Sequence, residues 1–250
     1  MNIILDKINS KNIMSAKLWI EEGSRNDPID QRGIHQLLSS TMLRGCGPYN
    51  NRQISEIVES SGAVLNCDTF EDGLLISLKC VESDAYKLLP LIGWMITEPI
   101  LQKDQIELEK DLTIKAIKRQ KESIYQLAFD GWKRMVYGDG PYGHDPLGSI
   151  EDINKIEKEH ILPISNSLIK RKKNLVISGM FPDNIEDYIE TKTAFMGISE
   201  NTTNQKNKYK NTNEFNLEHK PNKTICTRSL NTKQVIILLG KSTIRYDNES

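Results

Sequence analysis

No stretch of these 250 residues approaches the roughly 20 consecutive apolar positions that a membrane-spanning helix requires. The opening, MNIILDKINSKN, is too short and too polar for a signal peptide. Neither sign of charge is in excess: 33 Lys and Arg stand against 34 Asp and Glu, a formal net charge of -1. Such a balance gives no field for gathering nucleic acid or an anionic membrane, and neither is expected as a partner. Cysteine is scarce, and the spacing of Cys46, Cys67, Cys80 and Cys226 fits neither paired zinc ligands nor a dense disulfide framework. Cys67 and Cys80 fall in strand-like apolar patterns, where a buried free thiol is the expectation. A reducing cytoplasm is the expected compartment. His144 in a Gly/Pro loop, His160 in a charged helix and His219 in a polar stretch have no ligand-spaced partner, so each is expected at the surface. The basic run Lys170-Arg171-Lys172-Lys173 lacks interleaved aromatics and reads as a solvated turn.

What is present is a regular alternation of elements. Residues 14–21 alternate as a half-buried strand, with Ala16, Leu18 and Ile20 on one side, and a polar loop through Pro28 follows. Residues 33–43 have the spacing of an apolar helix closed by Gly45-Cys46-Gly47-Pro48, and a second helix covers 51–61. Residues 64–69 and 73–81 read as adjoining strands about the turn Glu71-Asp72-Gly73. Helices are predicted from Ser83-Asp84 to Thr97, over 103–122, over 124–136 and after Ser149. Residues 173–180 form a strand, and Pro182 introduces a short helix. Residues 201–222 are rich in Asn and Lys, as an exposed linker is. After them, 233–242 is a strongly apolar strand that echoes the first one, Ala16 to Ser24.

Residues 33–43 also hold the most suggestive chemistry. His35, Leu38 and Ser39 stand at i, i+3 and i+4, on one helical face. A histidine there could hold zinc, but zinc chemistry needs about three protein ligands and an open position for water. Its neighbours on that face are a leucine and a hydroxyl. Ser39 beside His35 is a nucleophile–base pair only in the generic sense, with no third group to orient it.

Gly23-Ser24-Arg25, Gly33-Ile34-His35, Met42-Leu43-Arg44-Gly45 and the run from Gly62 to Thr69, in this order and spacing, resemble the pitrilysin-type (insulinase, M16) zinc peptidases. The likeness runs from about Ile13 to Met180 and is closest to the branch with subunits of roughly 400 residues. It implies an α+β, two-layer metallopeptidase-like domain over residues 1–198, with a mostly antiparallel sheet packed against helices. A polar linker over 199–232 and the first strand of a second such domain over 233–250 would follow.

The family's inverted motif is His-x-x-Glu-His, with a glutamate ligand on a later helix. Counted along this chain, the first histidine falls on His35, the general base on Leu38 and the second histidine on Ser39. The distant ligand falls on Ala116, and Glu109 matches an acidic residue that supports the metal site in active members. The resemblance thus implies a catalytically inactive homologue without a cofactor. The region from Gly62 to Thr69 matches the edge strand on which active relatives seat an extended substrate, with Asn66 and Thr69 at the matching positions. The expected partners are a zinc-bearing family subunit or a missing C-terminal half, and an extended peptide. Two other readings stay open: an active zinc endopeptidase, and a truncated gene product without independent function.

Overall fold

The computed structural model describes residues 1–9, 11–191, 193–195, 198 and 225–240. In chain order the elements are β1 (Asn2–Lys7), β2 (Ile13–Ile20), α1 (Ile34–Met42), β3 (Gly45–Cys46), β4 (Tyr49–Asn50), α2 (Asn51–Ser60), β5 (Val64–Thr69) and β6 (Leu74–Val81). They continue with α3 (Ala85–Thr97), α4 (Lys103–Gln120), α5 (Ile124–Tyr137), α6 (Ile150–Lys155), α7 (Lys158–Leu168), β7 (Lys173–Gly179) and α8 (Ile185–Thr191). Five strands form one sheet in the order β1-β7-β2-β6-β5, antiparallel except where β1 runs parallel to β7.

The period of two in β2 decides which side of the sheet is buried. Met14, Ala16, Leu18 and Ile20 are fully buried, and the intervening residues are not. The register carries this row across the sheet: Ala16 lies between Leu78 of β6 and Ile177 of β7, and Leu18 between Ile76 and Leu175. The apolar sides of α1 and α3 complete the core, with Ile34, Leu37, Leu38 and Met42 from one and Leu88, Leu89, Leu91, Ile92, Met95 and Ile96 from the other. The result is the two-layer α+β architecture anticipated above. Cys67 and Cys80 are buried free thiols, as expected.

Two features differ from the expectation. β1 is a strand where none was anticipated. Its burial is slight, as suits an edge, and it takes its pairing from β7. The helix after Ser149 is two helices, because Ile156 is extended and Glu157 opens α7 through a capping box with His160. Residues 225–240, which include part of the anticipated linker and second-domain strand, make no ladder among the described residues. The rest of 199–250 apart from these lies outside the described residues.

Candidate functional site

Two polar constellations flank α1, one on each side. The first is buried. Gly33 caps the helix at φ 96°, a left-handed conformation that glycine adopts without strain, and its N–H donates to Asp27 Oδ2 at 2.6 Å. Two residues on, His35 lies with Nδ1 2.5 Å from Asp27 Oδ1 and Nε2 3.3 Å from Glu22 Oε1. Glu22 Oε2 is 2.5 Å from Arg171 Nε, and His144 Nε2 is 3.6 Å from Asp27 Oδ2 and donates to the Ser24 carbonyl at 3.0 Å. Arg171, Glu22, His35, Asp27 and His144 therefore form a relay between the loop after β2, the start of α1, the loop after α5 and the turn before β7.

The charges of this relay support one another. Burial opposes a charge on His35, but the hydrogen bonds to Asp27 and then Glu22 outweigh it and raise the imidazole to about 8. Burial likewise works against Asp27, yet its bonds from His144, His35 and the Gly33 amide hold it below the usual carboxylate range. Glu22 is lowered too, with burial opposed by hydrogen bonds from His35 and Asn26 and by the charge of Arg171. His35 at neutral pH is an imidazolium clamped between two carboxylates.

This corrects two expectations and bears out a third reading, that Ser39 does not act with His35. His144 is buried rather than solvated. The basic run is not a solvated turn throughout: Arg171 joins the relay, and Lys173 is buried with Nζ donating to the carbonyls of Ile169 and Arg171 at 2.7 and 2.6 Å. Ser39 makes no pair with His35. Its Oγ donates to the Gln36 carbonyl at 2.9 Å and lies 2.8 Å from Thr69 Oγ1.

The second constellation is open. Along α1 and the residue pair that follows it, Gln36, Ser40, Leu43 and Arg44 are the positions not fully sealed in the core, at i, i+4, i+7 and i+8. A cleft of about 340 Å³ begins there, lined by Ser40, Leu43 and Arg44, by Ile54 and Val58 of α2, by Leu65 and Cys67 of β5 and by Glu109 of α4. Arg44 Nε meets Glu109 Oε1 at 2.5 Å and closes one end. Ser40 Oγ is turned back to the Gln36 carbonyl at 2.8 Å.

Of the candidate metal, base and peptide-contact positions His35, Leu38, Ser39, Ala116, Glu109, Asn66 and Thr69, Glu109 lines this cleft. His35, Leu38 and Ser39 are buried, and Ala116 is exposed two helical turns beyond Glu109. α1 and α4 pack together, and the space at their contact is bounded by Ser40, Leu43 and Arg44. Thr69 serves α1, its Oγ1 lying 3.2 Å from the His35 carbonyl oxygen, while Asn66 is exposed. Among the described residues β5 pairs with β6 alone, which leaves its other edge open. The relay was illegible beforehand because His144 and Arg171 lie far in sequence from Glu22, Asp27 and His35. The spacing of carboxylates around the Gly23-Ser24-Arg25 loop was its one visible trace.

The scaffold is thus a two-layer α+β domain with a cleft between α1, α2, α4 and the edge strand β5. The sequence profile of the insulinase family (Peptidase family M16) matches residues 2–148, more than half of the chain, and the chain belongs to that family. It is 22% identical over 158 residues to the Saccharomyces cerevisiae mitochondrial-processing peptidase subunit beta, covering 63% of this chain and 34% of that protein. It is 22% identical over 149 residues to the mouse cytochrome b-c1 complex subunit 1, covering 60% of this chain and 31% of the other. The chain thus spans about a third of the length of these relatives. In fold it is similar to the crystal structure of a peptidase M16 inactive domain from Pseudomonas fluorescens, with a TM-score of 0.68 at 16% identity, over 78% of this chain and 48% of that one.

Proposed function

We propose that this chain is a catalytically inert member of the M16 family that binds an extended peptide along β5 and completes an assembly with a zinc-bearing relative. The observation that carries the reading is the composition of the open α1 face. Zinc ligands must look into a space with room for a water molecule, and the cleft offers Ser40, Leu43, Arg44 and a Glu109 already paired with Arg44. If the family motif is placed on that open face rather than by count, its histidines fall on Gln36 and Ser40 and its general base on Ser39. By count they fall on His35 and Ser39, with the base on Leu38. Neither register supplies a ligand set or a proton acceptor, and the distant position at Ala116 has no donor atom in its side chain. The residues present do not fit zinc. Among the described residues no group of three or more His, Cys, Asp or Glu is arranged to hold a metal ion.

Metal analysis after dialysis against trace zinc should find well under one zinc per chain, and the protein alone should cleave no peptide. One tightly held zinc, or metal-dependent turnover, would overturn this reading.

Peptide binding needs no metal. The open edge of β5 offers backbone donors and acceptors, and the adjoining cleft offers an apolar wall of Leu43, Ile54, Val58 and Leu65. Seating one apolar side chain in it is worth about 1.5–3 kcal/mol, roughly ten- to hundredfold in affinity. Val58→Glu should therefore weaken an extended, leucine-containing peptide about tenfold or more in fluorescence anisotropy, with the fold unchanged by circular dichroism. Equal affinity in the variant would remove the cleft from the binding surface. The names of two relatives, each a subunit, motivate the assembly. Co-purification should recover a family member with an intact His-x-x-Glu-His motif, and a chain that captures none would refute that part.

A further inference from the structure

α5 contributes little to the core: Lys133 is its buried residue. Its apolar side is a ladder of rings. Tyr125 stacks on Phe129 with centroids 6.0 Å apart, Phe129 on Trp132 at 5.9 Å, and Trp132 meets Tyr137 edge-on at 6.4 Å. Spacings of four and three residues put Tyr125, Phe129 and Trp132 on one face, and a strip of aromatic surface outside the core is a contact surface in search of a cover.

Something on the same chain already touches it. A Cβ built on Gly240 would fall 2.4 Å from Trp132 Cζ2 and 2.9 Å from Nε1, so the backbone rests directly against the indole. The preceding residues alternate in exposure. Val235, Ile237 and Leu239 are 81%, 75% and 91% exposed, whereas Ile236 is 38% exposed and Leu238 is partly buried. A period of two without a ladder partner is the mark of an extended segment with one side against a surface and the other in water.

We propose that the aromatic face of α5 is a docking surface whose occupant is this chain's own segment 236–240, seated as an extended strap through Ile236, Leu238 and Gly240. The absence of a side chain at 240 is what lets the strap lie on Trp132. Tethering within one chain gives the segment a high effective concentration at α5, which favours it over a second copy. The inference is independent of whether the cleft binds peptide or metal.

Fluorine NMR of the full chain carrying 5-fluorotryptophan tests it, with the Trp132 resonance assigned by Trp132→Phe. Gly240→Val should displace the Trp132 resonance and leave those of Trp19 and Trp94 in place, and Leu239→Val, on the outward side, should move none. Ile236→Asp provides a second route to the same selective displacement, at a position remote from the core. A Trp132 resonance unmoved by both Gly240→Val and Ile236→Asp would overturn the proposal. So would a resonance that shifts on dilution of the wild-type chain, because the occupant would then be another copy.

Discussion

Asp27→Ala should lower the stability of the fold by about 3–5 kcal/mol, the usual consequence of removing one partner from a buried charge pair. The carboxylate is sealed from solvent and holds the Gly33 amide, the His35 imidazolium and, at longer range, His144. Without it His35 keeps a buried charge opposite Glu22 alone, and the first turn of α1 loses its anchor. Urea denaturation measures the difference. Asp183→Ala, at an exposed pair with Lys7, serves as control and should leave stability nearly unchanged. A loss at Asp27 no larger than the control would show that the relay contributes nothing to folding.

The same relay fixes the pH profile. The His35 imidazole titrates near 6.5 when unfolded and at about 8 in the fold, so its contribution is fully present below 6.5 and is lost as pH rises through 8. That displacement corresponds to about 2 kcal/mol. Asp27 and Glu22 are lowered, so their contributions are present above the ordinary values of 3.8 and 4.5 and fade as pH falls below them. Stability should therefore decline on both sides of a plateau between about 4.5 and 6.5. The alkaline limb should weaken in Asp27→Ala, where Glu22 alone still faces the imidazole.

The second large effect concerns an attempt to rebuild the metal motif. Leu38→Glu with Ser39→His, the replacement suggested by counting residues from His35, should destroy the fold rather than create a zinc site. Leu38 and Ser39 are both 0% exposed. A carboxylate at 38 would be buried among core side chains, and an imidazole at 39 would need room where a hydroxyl already sits 2.8 Å from Thr69 Oγ1. A loss of several kcal/mol is expected, enough to leave insoluble or molten protein. Gln36→His with Ser40→His uses the open face instead and should cost no more than about 1 kcal/mol. Two imidazoles at i and i+4 should then bind zinc weakly, because the third ligand is still missing. Isothermal titration and thermal unfolding distinguish the pairs. A folded, zinc-binding first variant beside an inert second would establish the register by count.

Most of the architecture was legible because alternation and helical spacing are properties of short windows. Residues 64–69 were placed to the residue, and β2, β6 and β7 to within one or two at each end. β1 escaped because its pattern, Asn2 to Lys7, buries almost nothing, and its pairing is decided by β7, about 170 residues away. The site was less legible for the same reason. Spacing along α1 shows which residues share a face, but whether that face meets core or cleft is settled by the neighbours, α2, α4 and β5. His35 reads as a leftover histidine satisfied by polar neighbours, and it is, but those neighbours, Asp27 and Glu22, lie outside its own helix, where spacing does not point to them.

The place of β7 between β1 and β2 has a consequence for synthesis on the ribosome. The chain makes β1, β2, β5 and β6 long before residues 173–179, yet β1 is joined to β2 through that late strand. Until it emerges, β1 has no strand to pair with and β2 is open along one side, while Arg171 has yet to reach Glu22. A nascent chain stalled before β7 should hold at most a three-stranded β2-β6-β5 sheet with a free apolar flank, a state open to chaperones and to self-association. Closure of the sheet is thus a late event that brings the oldest strand, the newest strand and the buried relay into place together.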